Sequence, residues 1–237
     1  MGFQTVTRTH VGLRRKVNED SVLDCTERGL WAVADGMGGH EAGEVASAMV
    51  VEALAGLPLT DSLETDTANA VAAMVRVNEE LIALARSDLH ARTIGSTVVG
   101  LFIRDGRYSC FWAGDSRIYR VRSGIIRQLT RDHSLVQDLV NAGMIAPDEA
   151  HHHPNANVIT RAVGAVDTLV VDTVGGEVRS GDQFLLASDG LTRLVEDEEL
   201  RDELAELEPT EAAGKLLDAV LARGAPDNVS LIITRVD

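Results

Sequence analysis

Cysteine is scarce in this chain of 237 residues: Cys25 and Cys110 are the two present, too few for a disulfide framework and without the paired spacing of a zinc site. Both read as reduced thiols. Also missing is any run near the roughly 20 continuous apolar residues of a membrane-spanning helix. The opening MGFQTVTRTHVGLRRK has no apolar signal segment, and Val6 stands where a myristoylation motif wants Ser or Thr. A soluble cytoplasmic protein with no membrane partner is expected. Positive charge is in short supply, 22 Lys and Arg against 37 Asp and Glu, for a net charge of -15. Such a field argues against nucleic acid as a general partner.

Several phosphate-handling signatures are absent as well. Gly214-Lys215 is followed by Leu216, which breaks the P-loop pattern, and Glu41 stands where GxGxxG, begun by Gly36 and Gly38, needs its third glycine. A cysteine phosphatase wants its thiolate five residues before an arginine. Cys110 has six residues before Arg117, and Cys25 lies too near Arg28. No two aspartates are spaced as an EF-hand loop requires. A covalent cysteine mechanism and a calcium loop are both unsupported.

What is present is enough apolar sequence, 45% of residues, for one large core, and a single domain over 1–237 is expected. Apolar runs bounded by turn residues predict strands at 3–9, 30–34, 97–103, 107–112, 117–121, 169–173, 183–187 and 229–236. Asp105-Gly106 and Ser123-Gly124 read as hairpin turns, so much of the pairing should be antiparallel. Helical periodicity covers 43–57, 67–87, 134–142, 196–207 and 210–223. Helices grouped around successive hairpins predict an α+β sandwich of four layers, αββα, with two antiparallel sheets face to face and helices outside. The stretch 132–164, with its short helix, two prolines and a histidine run, breaks the hairpin pattern and reads as a flap that selects substrate.

Five aspartates carry the chemistry. Asp20, Asp35, Asp115, Asp189 and Asp227 stand in RKVNED, WAVADGMGGH, FWAGDSR, FLLASDG and PDNVSL, most of them at the end of a short apolar run. Strand ends far apart in sequence can converge in space, and converging carboxylates repel unless a cation holds them. Mg²⁺ and Mn²⁺ take oxygen ligands and keep several waters, so a few aspartates suffice for two ions. Two such ions activate a water for in-line attack at phosphorus. A guanidinium would complete the site by gripping phosphate bidentately, and Arg15 precedes Glu19-Asp20 at a suitable distance.

Taken in order, RxxNED at 15–20, DGMGGH at 35–40, AGDSR at 113–117, SDG at 188–190 and DN at 227–228 resemble the metal-dependent protein phosphatases of type 2C. DHSLVQDLVNAGMI and HPNANVITRAVG are similar to the flap of bacterial members. Each motif alone is weak; five in register are specific. The resemblance implies a serine/threonine phosphatase that uses Mn²⁺ or Mg²⁺, two ions and in some bacterial relatives a third. It implies that Asp35 bridges the two ions, that the Gly36 carbonyl binds one, and that Asp189 and Asp227 bind the other. Asp20 would act through bound water, Asp115 would join Asp189 at the third position, Arg15 would hold the phosphate and His40 would protonate the leaving oxygen. Partners would be phosphorylated proteins, substrates of a cognate serine/threonine kinase, and the chain is expected to act as a monomer.

Plainer readings exist for each residue. A lone aspartate at a strand end is more often a turn or helix cap, and Arg15 sits in a basic trio with Arg14 and Lys16. Glu19 is either a hydrogen-bond acceptor behind the site or simply exposed. His151, His152 and His153 are consecutive, so they point in different directions and read as solvated loop. The stretch 78–86 reads as the wet face of a helix, and Trp31 and Trp112 as core. Two alternatives to the phosphatase stand: a catalytically silent phosphoprotein-binding relative, and a metal-dependent hydrolase of another phosphoester.

Overall fold

A computed structural model of the chain describes residues 2–38, 42–87, 93–150 and 153–237. The order of elements is β1 (Phe3–His10), β2 (Asp20–Cys25), β3 (Leu30–Met37), α1 (Ala42–Ala55), α2 (Leu63–Ser87), β4 (Gly95–Ser96), β5 (Val98–Arg104), β6 (Arg107–Ala113), β7 (Arg117–Arg122) and β8 (Ile125–Gln128). There follow α3 (Leu135–Asn141), α4 (Pro147–Ala150), β9 (Asp172–Glu177), β10 (Gln183–Ala187), α5 (Asp189–Thr192), α6 (Asp197–Glu206), α7 (Pro209–Ala222) and β11 (Val229–Val236). Among the described residues, one sheet runs β1-β11-β10-β7-β8 and the other β2-β3-β5-β6-β9, with β4 paired to β3. Every named strand pairing is antiparallel. Both expected hairpins form, with positive φ at Asp105, Gly106, Ser123 and Gly124 as a type I′ turn requires.

Alternation along the strands makes the layers. In β3, Trp31 and Val33 point between the sheets with Leu101, Phe184 and Ile232, while Leu30, Ala32 and Ala34 turn outward under α1 and α2. In β10, Phe184 and Leu186 face inward and Leu185 faces α7 with Leu191 and Leu216. Because both faces of each central strand are covered, these strands are continuous apolar runs. The four-layer αββα sandwich follows from three hydrophobic clusters, one between the sheets and one beneath each helical layer. Among the described residues no helix is long and apolar enough to cross a membrane.

Three differences from the sequence expectations have physical causes. The strand expected at 169–173 begins instead at Asp172, because β6 sets its register from Trp112↔Asp172 to Arg107↔Glu177. Leu169 turns out of the sheet and into the cluster under α2. Second, DSVLDC forms the edge strand β2, which its short and partly polar pattern did not signal. Third, Asn78 is buried rather than on a wet face. Its Oδ1 accepts from the Gly164 N–H at 2.7 Å and its Nδ2 donates to the Val166 carbonyl at 3.0 Å, so α2 pins the C-terminal end of the 132–164 stretch. That stretch is further held by bridges Ser134↔Ile159 and Ser96↔Val163.

Candidate active site

Five different loops or strand ends deliver the five aspartates to one end of the sandwich. Asp20 opens β2 and lies directly opposite Asp35 in the β2–β3 register. Asp115 follows β6, Asp189 is the first residue of α5 after β10, and Asp227 immediately precedes the Asn228 that leads into β11. The donors therefore come from both sheets, and hydrogen bonds hold the junction. Ser188 Oγ donates to Asp20 Oδ2 at 2.9 Å while accepting from the Ser230 N–H at 3.0 Å. Asn228 Nδ2 donates to the carbonyls of Val11 at 2.8 Å and Val17 at 3.0 Å, and its Oδ1 accepts from the Glu19 N–H at 2.8 Å. One buried amide thus secures the loop that carries Arg15.

Glycine is required at two points of this frame by close backbone approach. A Cβ on Gly36 would sit 2.0 Å from the Gly43 carbonyl oxygen, and one on Gly190 would sit 1.9 Å from the Asn228 carbonyl oxygen. The Gly36 N–H donates to the Glu19 carbonyl at 3.1 Å, and the Glu19 carboxylate accepts from the Gly43 backbone. Glu19 is therefore an anchor between the start of β2 and the first turn of α1.

The electrostatics are those of acids crowded together out of water. Burial, with the fields of Asp189, Asp20 and Asp115 added, pushes the Asp35 carboxyl well above its ordinary value. Burial likewise raises Asp20 to about 7, against the opposing hydrogen bonds from Ser230 and Ser188. Burial and then Asp189 raise Asp115 to about 7. Asp189 is raised by burial although the Arg193 guanidinium opposes the shift. Oδ1 of Asp20 and Oδ1 of Asp115 are buried with no hydrogen-bond partner. An orphaned carboxylate oxygen in a cluster of like charges fits a divalent cation.

Two guanidiniums border the cluster. Arg15, half-exposed, bonds Asp227 at 2.8 Å. Arg193 reaches Asp189 at 2.8 Å and Asp115 at 3.0 Å, a residue that no motif singled out. Among the described residues no three carboxylates, imidazoles or thiolates already surround a single point. His40, His151 and His152 lie outside the described residues. Cys110 is buried in the core, Trp31 is core, and Trp112 stacks on His133 with ring centroids 6.1 Å apart.

Residues 12–223 match the family described as Protein phosphatase 2C. The chain belongs to that family. It is 39% identical over 230 residues to the serine/threonine protein phosphatase PstP of Mycobacterium tuberculosis, covering 97% of this chain and 44% of the relative. The chain thus spans less than half the length of that curated relative. A solved structure of PppA, described as a key regulatory component of T6SS in Pseudomonas aeruginosa, superposes with TM-score 0.91 at 41% identity and covers 100% of this chain and 99% of the other. The catalytic domain of PstP in complex with two manganese ions matches at TM-score 0.87 and 36% identity, 99% of each chain being covered. Type 2C members named in this way are serine/threonine phosphatases, hydrolases whose manganese-bound form is represented among them.

Proposed function

We propose that this type 2C domain hydrolyses phosphoserine and phosphothreonine in proteins, with two Mn²⁺ or Mg²⁺ ions held by Asp20, Asp35, Asp189, Asp227 and the Gly36 carbonyl. The observation that carries the reading is the buried carboxylate cluster, with orphaned oxygens on Asp20 and Asp115, in a chain of this family. When bound, the ions supply positive charge to the phosphoryl oxygens and lower the pKa of water toward neutrality. The remaining roles belong to the chain. Arg15 uses one nitrogen on Asp227 and keeps exposed N–H groups for phosphate, whose geometry suits a guanidinium. Asp20, held by the Ser188 hydroxyl, is read as acting on the ions through bound water. His40 is assigned protonation of the leaving oxygen.

The whole of 1–237 is read as one catalytic domain with 132–164 as a flap beside the site. The partners are phosphorylated proteins made by a cognate serine/threonine kinase, and the domain acts as a cytoplasmic monomer. Phosphate release from a phosphothreonine peptide tests the reading, with Mn²⁺, with EDTA and with Asp189→Asn. Release should need both the ion and Asp189. A folded, Mn²⁺-loaded protein that releases nothing from phosphopeptides would return the choice to a phosphoprotein-binding relative or another phosphoester.

A further inference from the structure

Arg193 joins the carboxylate cluster to the flap. It follows α5, and its guanidinium is one-third exposed. Nη2 lies 2.8 Å from Asp189 Oδ2 and 3.0 Å from Asp115 Oδ2, while Nη1 donates to Asn157 Oδ1 at 2.6 Å. Asn157 belongs to the 132–164 stretch, and its exposed side chain meets the site through this bond. The second oxygen of Asp115 is buried and unpartnered, so the Asp115–Asp189 pair has capacity beyond what Arg193 uses.

Resting on the metal reading above, we propose that Arg193 is a tethered cation standing between Asp115 and Asp189 where a third divalent ion would bind, and that its displacement by an ion releases the flap at Asn157. The physical reason is exclusion. A guanidinium and a divalent ion on the same two carboxylate oxygens would repel strongly in a half-buried site, so one must leave. The guanidinium is planar and rigid, so Nη1 moves when Nη2 does. Occupation of the Asp115–Asp189 position and attachment of the flap through Arg193 are then reciprocally coupled, each weakening the other. Arg193 is on this account a positioning residue that sets ion stoichiometry and flap freedom without touching the phosphate.

The test is a Mn²⁺ titration followed by electron paramagnetic resonance at pH 8, with hydrogen exchange read over residues 153–161. Wild-type protein should take two ions firmly and a third weakly. Arg193→Gln keeps much of the side-chain length and removes the charge, so it should bind the third ion about tenfold more tightly or better, with the first two unchanged. Flap amides should exchange faster in Arg193→Gln and in Asn157→Ala. Adding the third ion should speed exchange in wild type and leave Arg193→Gln unaltered. Third-ion affinity that is equal or weaker in a folded Arg193→Gln protein overturns the proposal while leaving the two-ion centre standing. Should that variant not fold, Arg193→Met, which also removes the charge and keeps much of the length, gives the same reading: a tighter third ion supports the proposal and an unchanged one overturns it. A wild-type protein that binds no Mn²⁺ overturns the metal reading itself, and this one with it.

Discussion

Asp20 and Asp35 face each other across the β2–β3 pair, in register and both among buried neighbours. Like charges directly opposite on adjacent strands destabilise a sheet. This sheet carries the conflict at the point where the chemistry is needed, and the conflict makes the site measurable without any substrate.

The first measurement is stability against pH. Asp20 and Asp115 titrate near 7 in the folded chain, whereas an unfolded aspartate titrates near 3.9. Between those values the folded form holds protons that the unfolded form has released, so raising the pH favours unfolding. In EDTA the melting temperature should fall between pH 5 and pH 8, by roughly 4 °C or more, and level off above about pH 8. Saturating Mn²⁺ should recover more at pH 8 than at pH 5, because ion binding competes with protons. A melting temperature that climbs over this range in EDTA would mean that these carboxylates do not govern the folded state.

Removing one charge should separate activity from stability. Asp35→Asn and Asp189→Asn should each lower Mn²⁺-dependent phosphate release by about 10³-fold or more. In EDTA the same variants should melt at or above the wild-type temperature, since a repulsive charge is gone. Near-normal Mn²⁺-dependent release by either variant would reject its assignment as a ligand.

Arg15 should tolerate no exchange for lysine. The ammonium can meet Asp227 or a phosphate oxygen but cannot present two parallel donors, so Arg15→Lys should lower kcat/KM roughly 10-fold to 100-fold, chiefly through KM. The melting temperature should hardly move, because the Arg15–Asp227 pair is largely exposed. Steady-state kinetics on a phosphopeptide decide this, and an unchanged KM would place the phosphate elsewhere.

Asn228 is the converse case, a structural residue with a functional consequence. Asn228→Ala abolishes three part-buried side-chain hydrogen bonds to the 11–19 loop and leaves their backbone partners without the amide. Urea unfolding should show a loss of roughly 2 to 4 kcal/mol. Activity should fall as well, through the loosened loop that carries Arg15. A loss of stability below about 0.5 kcal/mol would show that water replaces the amide without cost.

Much of this was legible in the residue order, and the exceptions share a cause. Strands β10 and β11 were read to the residue, because strands covered on both faces are continuous apolar runs between turn residues. Strand β2 opens with a ligand candidate and lies at a sheet edge, so its pattern carried too little apolar signal. In the same way the glycine pair in DTVGGE hid the second half of edge strand β9, so the strand was expected too early, at 169–173. The aspartates were visible because turn chemistry and family order mark them. Asn78 and Arg193 were not, since each acts through partners distant in sequence; Asn78 sits in a stretch that reads as a wet helix face, and Arg193 lies between the SDG motif and the helix expected at 196–207. Long-range polar contacts leave no local periodicity.

The bond from Ser188 to Asp20 crosses from the strand system of β10 to that of β2. With Asp20 and Asp35 on one sheet, Asp189 and Asp227 at strand ends of the other, and Asp115 in the turn that passes between them, the proposed centre would also act as a rivet through the thickness of the sandwich. Under mechanical load, and with the proposed ions bound, sliding one sheet over the other would have to tear donors from the same ions. Resistance to force should therefore rise with ion loading, and a stretched molecule would lose its chemistry before it lost its strands.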